Sequence, residues 1–134
     1  MSIERQKLFC SIKENSSRLI LEADNACADF AEIQLFLLDN PPFIETSVDC
    51  GAGLALSFRK INDNWAIAIG KAKTDNDHIV KNVWVPFQNR SAVDRIRAYP
   101  KLYTLLRHIK AAQEKEIRML EDARPSVEGD DYVD

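Results

Sequence analysis

The chain has few of the residues on which many catalytic and binding sites depend. Its 134 residues include two histidines, four glycines and three cysteines. The cysteines, Cys10, Cys27 and Cys50, lie far apart and lack the C-x-x-C spacing of metal and redox sites. No histidine stands at helical spacing beside a pair of acids, and no glycine-rich turn leads into a helix, as metal centres and phosphate-binding loops require. We therefore predict no catalytic residues, no metal site and no cofactor.

Long apolar runs are also missing. No stretch reaches the roughly 18 consecutive apolar residues of a membrane-spanning helix. Charges at Glu4, Arg5 and Lys7 leave no room for the apolar centre of a signal peptide, and an odd number of cysteines without an export signal is typical of reduced thiols in the cytosol. The net charge of −3 favours no class of partner. We expect a cytoplasmic protein with no membrane contact.

What the chain has in excess is apolar helix near its start. Apolar or small residues recur at alternating steps of four and three, a pattern typical of helices and close to a heptad repeat; they are Ile12, Ser16, Leu19, Ala23, Ala26, Phe30, Ile33 and Leu37. The prolines that follow Asn40 end the pattern, because proline disfavours a helical residue before it. The sequence predicts one helix from about Arg5 to Asn40. A break near Ser16, where the 15–17 run of Asn and Ser can cap a new helix, is the alternative.

In the middle of the chain the period changes to two, which indicates β-strands. Large side chains alternate with small or polar ones in two successive runs, at Leu54, Leu56 and Phe58 and again at Trp65, Ile67 and Ile69. The residues between them, 62–64, are Asn and Asp, which favour turns. A third run, HIVKNVWVPF, is rich in branched and aromatic residues. These runs predict a three-stranded antiparallel meander.

The last predicted element is a second amphipathic helix. Ser91 and Asp94 form a variant of the capping box, Pro100 either kinks the helix or starts a new one, and Pro125 follows its end. The order α-β-β-β-α predicts the α+β class, with the meander packed against long N- and C-terminal helices. We assign residues 1–124 to this single domain and expect the acidic residues 125–134 to be a disordered tail.

The first helix is too long for a small domain to cover. A chain of this length folds into a globule about 36 Å across, whereas about 35 helical residues span roughly 52 Å. The N-terminal half, with Leu8, Phe9 and Ile12, should therefore project and require a partner. We predict a homo-oligomer, with a two-fold dimer favoured. The alternative is a compact monomer whose first segment folds back at a break near Ser16.

A second candidate surface lies on the last helix. Five basic and aromatic side chains fall at helical spacing if the helix runs through Pro100: Arg95, Tyr99, Tyr103, Arg107 and Lys110. Arginine binds phosphate or carboxylate and tyrosine stacks on bases, so this face could bind phosphate groups or an acidic partner. The preferred alternative is the solvated back of an amphipathic helix, because the chain as a whole is mildly acidic.

No set of nucleophile, acid–base pair or metal ligands is assembled in the sequence. We therefore predict a non-catalytic protein that acts through self-association and protein–protein contacts, in a role that the sequence does not specify. The second hypothesis is a nucleic-acid-associated regulator using the basic face of the last helix. The third is a small-ligand-binding or catalytic domain whose pocket would collect Glu22, Asp29, His78 or His108.

Overall fold

The computed structural model describes residues 2–75 and 78–125, with side chains described outside 73–82. Its elements are helix α1 (Ile3–Asp39), strands β1 (Thr46–Gly51), β2 (Leu54–Ile61), β3 (Asn64–Asp75) and β4 (His78–Pro86), and helices α2 (Ala92–Ala98) and α3 (Leu102–Ala123), with short 3-10 turns at Phe87–Asn89 and Tyr99–Lys101. The predicted α+β class is confirmed. The predicted tail lies outside the described residues, apart from Pro125.

Helix α1 is continuous over 37 residues and spans about 55 Å. The Ser2 side chain caps its start by accepting a hydrogen bond from the Arg5 backbone N–H. No break occurs near Ser16, because that run is wholly exposed and its side chains need not compete for the helix backbone. The helix ends at Asp39. The N–H of the next residue, Asn40, donates to the Phe36 carbonyl, and the first proline follows directly. The alternative of two helices is therefore wrong.

The sheet is an antiparallel meander in the order β1-β2-β3-β4. It has four strands, whereas the sequence predicted three, because β1 was missed. Val48 of β1 pairs with Leu56 of β2. The β1–β2 turn requires positive φ angles at Gly51 and Gly53, of 80° and 74°, and forces Ala52 into the same region at 52°.

One face of the sheet forms the core with the helices. Phe58 and Ile67 sit opposite each other on β2 and β3, and both are buried beneath α1 and α3. Phe30 of α1 has no exposed surface and stacks on Phe87 with ring centroids 5.2 Å apart. The core therefore uses only the second half of α1.

On the other face of the sheet, Trp84 covers Gly70. A Cβ added to Gly70 would lie 2.8 Å from a ring carbon of Trp84, so the indole rests directly on the glycine backbone. The Arg59 guanidinium carbon lies 4.5 Å from the centre of the same ring. No helix within the described residues is both long and apolar enough to cross a membrane.

Candidate self-association surface on the first helix

The first half of α1 makes no contribution to the core. Every residue from Ile3 to Glu22 is exposed, and Ala23 is the first buried residue, with 1% of its surface accessible. We call residues 3–21 the helix extension; at 1.5 Å per residue it is about 28 Å long. The extension therefore projects from the domain as a single uncovered helix.

The helix extension carries a large amount of exposed apolar surface. Seven large apolar side chains are between 46% and 72% accessible: Ile3, Leu8, Phe9, Ile12, Leu19, Ile20 and Leu21. The predicted self-association residues Leu8, Phe9 and Ile12 are all among them. Ile12 and Leu19 belong to the same helical stripe as Ala26 and Phe30, which are buried. The uncovered surface thus continues the side of α1 that packs into the core.

The second half of α1 also leaves apolar side chains uncovered, on the sides that face away from the sheet. Leu35 and Phe36 are 64% and 60% accessible. Phe36 and Ile33 form one wall of a groove whose other wall is Tyr103 and Leu106 of α3. We call this the α1–α3 groove; its volume is about 310 Å³, and Asp29 and Glu32 also line it.

Helices α1 and α3 run side by side in the same direction. The Tyr99 hydroxyl, just before α3, donates a hydrogen bond to the Asp29 carboxylate of α1. Further along, the Gln113 side-chain amide donates to the Pro42 carbonyl at 3.4 Å, just beyond α1. The groove between these two contacts was not predicted, because it depends on the packing of helices that are distant in sequence.

The charges on α1 are divided between its two halves. The helix extension holds four basic residues, Arg5, Lys7, Lys13 and Arg18, against two acidic residues, Glu4 and Glu14, for a net charge of +2. Residues 22–39 hold five acidic residues and no basic one, for a net charge of −5; they are Glu22, Asp24, Asp29, Glu32 and Asp39. The helix is therefore basic where it projects and acidic where it joins the domain.

The predicted basic face is divided by the 3-10 turn that contains Pro100, so Arg95 lies on α2 while Tyr103 and Arg107 lie on α3. Arg95 donates to the carbonyls of Gln88 and Arg90 at 3.4 and 2.9 Å. Tyr99 is bound to Asp29 as described above. The side chains of Arg95 and Tyr99 thus already form hydrogen bonds within the chain. Phosphate binding by this face stays a prediction.

At the end of that face, Lys110 pairs with Glu114 at 3.3 Å on the surface of α3. Both partners are more than half exposed, so this pair contributes little to stability. Tyr103 and Arg107 are exposed, and Tyr103 also lines the α1–α3 groove. Of the five predicted residues, Tyr103 is thus the one that lines the α1–α3 groove.

The acids proposed for a catalytic pocket are only partly brought together. Asp29 lines the α1–α3 groove, whereas Glu22 on α1 and His108 on α3 are exposed and lie outside its lining. The side chain of His78 lies outside the described residues. Within the part of the chain that the structure describes, no three His, Cys, Asp or Glu side chains are grouped so as to hold a metal ion.

Changing Tyr99 to Phe tests the contact at the edge of the groove. The hydrogen bond to Asp29 is the main cause that raises the pKa of Tyr99 above its usual value near 10. A raised pKa in the folded state means that the bond stabilises the fold below about pH 10, and that this contribution is lost as the pH rises through the raised pKa. We expect Tyr99→Phe to be less stable than the wild type near neutral pH, with a difference that shrinks above pH 10.

Urea unfolding at a series of pH values measures this difference, and the change in tyrosinate absorbance between wild type and variant gives the titration of Tyr99 alone. Tyr103→Phe serves as the control, because that side chain is exposed on the neighbouring turn. A Tyr99 titration at or below the usual value would show that the Asp29 contact does not hold in solution.

Comparisons with protein-family models, with curated proteins and with solved structures found no match. A function for this chain must therefore be inferred from its own surface.

Proposed function

We propose that this is a non-catalytic protein that acts through self-association and protein–protein contacts, and that the helix extension is its contact surface. The observation that carries the proposal is that an isolated helix of about 28 Å exposes seven large apolar side chains. A single exposed leucine is ordinary on a protein surface, but this many large exposed apolar side chains on one uncovered helix mark an interaction site.

Self-association is favoured over an unrelated partner because the surface lies on one projecting helix. In a two-fold dimer the same patch is used on both subunits, so one contact covers both extensions. The proposal also includes a cytoplasmic location, in which Cys10, Cys27 and Cys50 stay as the free thiols that the fold holds.

Replacing Leu8 and Phe9 by Gln tests the proposal, because glutamine keeps the helix propensity and removes the apolar surface. Both side chains are 55% accessible, so burying each in an interface is worth about 1 kcal/mol. A two-fold dimer loses four such contacts, about 4 kcal/mol in total, which corresponds to roughly a thousandfold weaker association. Light scattering coupled to size exclusion should give about twice 15.3 kDa for the wild type and a monomer mass for the variant.

The matched control is Met119→Gln with Leu120→Gln, two exposed residues near the end of α3 that lie outside the extension. This control should keep the wild-type mass. Circular dichroism should show a folded chain in both variants. A wild type that stays monomeric at every concentration would contradict the proposal, as would a Leu8 and Phe9 variant that unfolds.

A further inference from the structure

A single heptad line on α1 leads from the helix extension to the α1–α3 groove. Its positions recur at steps of four and three: Leu8, Ile12, Asn15, Leu19, Glu22, Ala26, Asp29, Ile33 and Phe36. Ala26 alone among these is buried within the domain. Positions with this spacing drift slowly around a straight helix. A second helix stays in contact with all of them when the two helices wind around each other in a left-handed supercoil. A helix lying along this line would therefore contact both the extension and the wall of the groove.

The division of charge on α1 selects the direction of that second helix. Two parallel copies of α1 would place +2 beside +2 and −5 beside −5, which is repulsive along the whole length. Two antiparallel copies place each basic extension beside the acidic half of the other copy. With the pair centred on the middle of α1, Lys13 lies within about one turn of Asp29 and Glu32 of the other copy, and Arg18 lies within about one turn of Glu22 and Asp24.

We propose that two copies of this chain associate through antiparallel α1 helices, with each helix extension lying in the α1–α3 groove of the other copy. This inference rests on the proposed self-association and specifies its geometry. The two-fold axis passes near Leu21, the midpoint of α1 (Ile3–Asp39). Residue n of one copy is opposite roughly residue 42 − n of the other, as in an antiparallel helix pair.

This arrangement covers exposed apolar side chains on both halves of α1 in one contact. Leu8 and Phe9 of one copy come beside Ile33 and Phe36 of the other, where Tyr103 forms the opposite wall of the groove. The same contact is repeated on the other side of the axis, so no extension is left free and the assembly closes at two copies.

Cysteine crosslinking tests the direction and the register. Ser11 and Glu32 are exposed, and they are opposite each other in the proposed pair. In a Cys10→Ser background we would compare Ser11→Cys alone, Glu32→Cys alone and the two together, using a bis-maleimide of about 10 Å, similar to the spacing of packed helix axes. The proposed geometry separates two copies of either position by roughly 30 Å along the axis, so only the double variant should give a covalent dimer.

The native thiols that remain should interfere little with this experiment. Burial, with a smaller contribution from the Asp49 carboxylate, raises the pKa of the Cys50 thiol to about 11, so little reactive thiolate is present near neutral pH. Cys27 is half-buried within the domain. The Cys10→Ser background without added cysteines is the control and should give no covalent dimer.

The outcomes separate this inference from the proposed function. Covalent dimers from either single variant would indicate a parallel arrangement, which overturns the antiparallel geometry while self-association stands. A dimeric mass with no crosslink in the double variant would mean that the extension docks elsewhere. That result would also overturn the antiparallel geometry while self-association stands. A monomeric mass with no crosslink would overturn both, and an unrelated protein would then be the occupant to seek.

A charge exchange gives an independent test. Lys13→Glu with Arg18→Glu places acidic residues against the acidic half of the other copy, and we expect association to weaken at least tenfold. Adding Glu22→Lys and Glu32→Lys restores opposite charges and should recover most of the wild-type affinity, measured by analytical ultracentrifugation. Failure of the second pair to rescue the first would contradict the antiparallel contact.

Discussion

Replacing Phe30 by Ala is expected to lower the free energy of unfolding by about 3–5 kcal/mol, a large part of the stability of a domain of this size. Phe30 is completely buried and lies between Phe87 and Tyr99, with ring centroids 5.2 and 6.1 Å away. Alanine would leave a cavity between α1, the sheet and the turn before α3, and those elements are too firmly packed to close it. Urea unfolding followed by circular dichroism measures the loss.

Phe9→Ala is the matched control. It makes the same chemical change on the same helix, but at a side chain that is 55% accessible. At protein concentrations low enough for the monomer, its free energy of unfolding should stay within about 0.5 kcal/mol of the wild-type value. The effect on self-association should show the reverse pattern, because Phe9→Ala weakens it directly whereas Phe30→Ala affects it only through the fold. A large loss of stability in Phe9→Ala would place that ring in the core.

The elements that the sequence predicted correctly are those with a clear apolar period and clear ends. Strand β2 has the alternating large side chains Leu54, Leu56 and Phe58 buried in the core, and the prolines after Asn40 stop α1 where expected. These signals are local, because each depends on residues that are neighbours along one element.

Strand β1 gave no such signal. Its sequence TSVDCG has a single fully buried side chain, Val48, because β1 is an edge strand that pairs only with β2. The Gly51-Ala52-Gly53 segment forms the β1–β2 turn, with positive φ angles at all three residues. An edge strand with one buried residue is held by pairing and a turn, and neither has a periodic pattern.

The candidate surface was predictable in part. Comparing helix length with domain diameter was sufficient to place Leu8, Phe9 and Ile12 outside the domain, and the exposure of all three agrees with it. The α1–α3 groove could not be inferred, because Phe36 and Tyr103 are brought together only by tertiary packing. The charge division on α1 was present in the sequence, but it becomes informative only once the helix is known to be continuous.

Deleting residues 3–21, so that Ser2 precedes Glu22, is expected to leave a folded domain that no longer self-associates. The deletion removes only exposed residues, and the first buried residue, Ala23, is kept. Ser2 remains as the cap of the shortened helix, with Asp24 three residues later as a partial capping box. Light scattering should give a single monomeric mass, and circular dichroism should show the sheet retained and the helix signal reduced.

The concentration dependence of thermal unfolding further distinguishes the wild type from the chain that lacks residues 3–21. A dimer binds its second copy only in the folded state, so the wild-type Tm should rise with protein concentration. The shortened chain has lost the seven exposed apolar side chains and the four basic residues of the extension, so its Tm should be constant. Loss of folding on deletion would mean that the helix extension stabilises the domain itself, and a Tm that still rises would place the self-association surface elsewhere on the molecule.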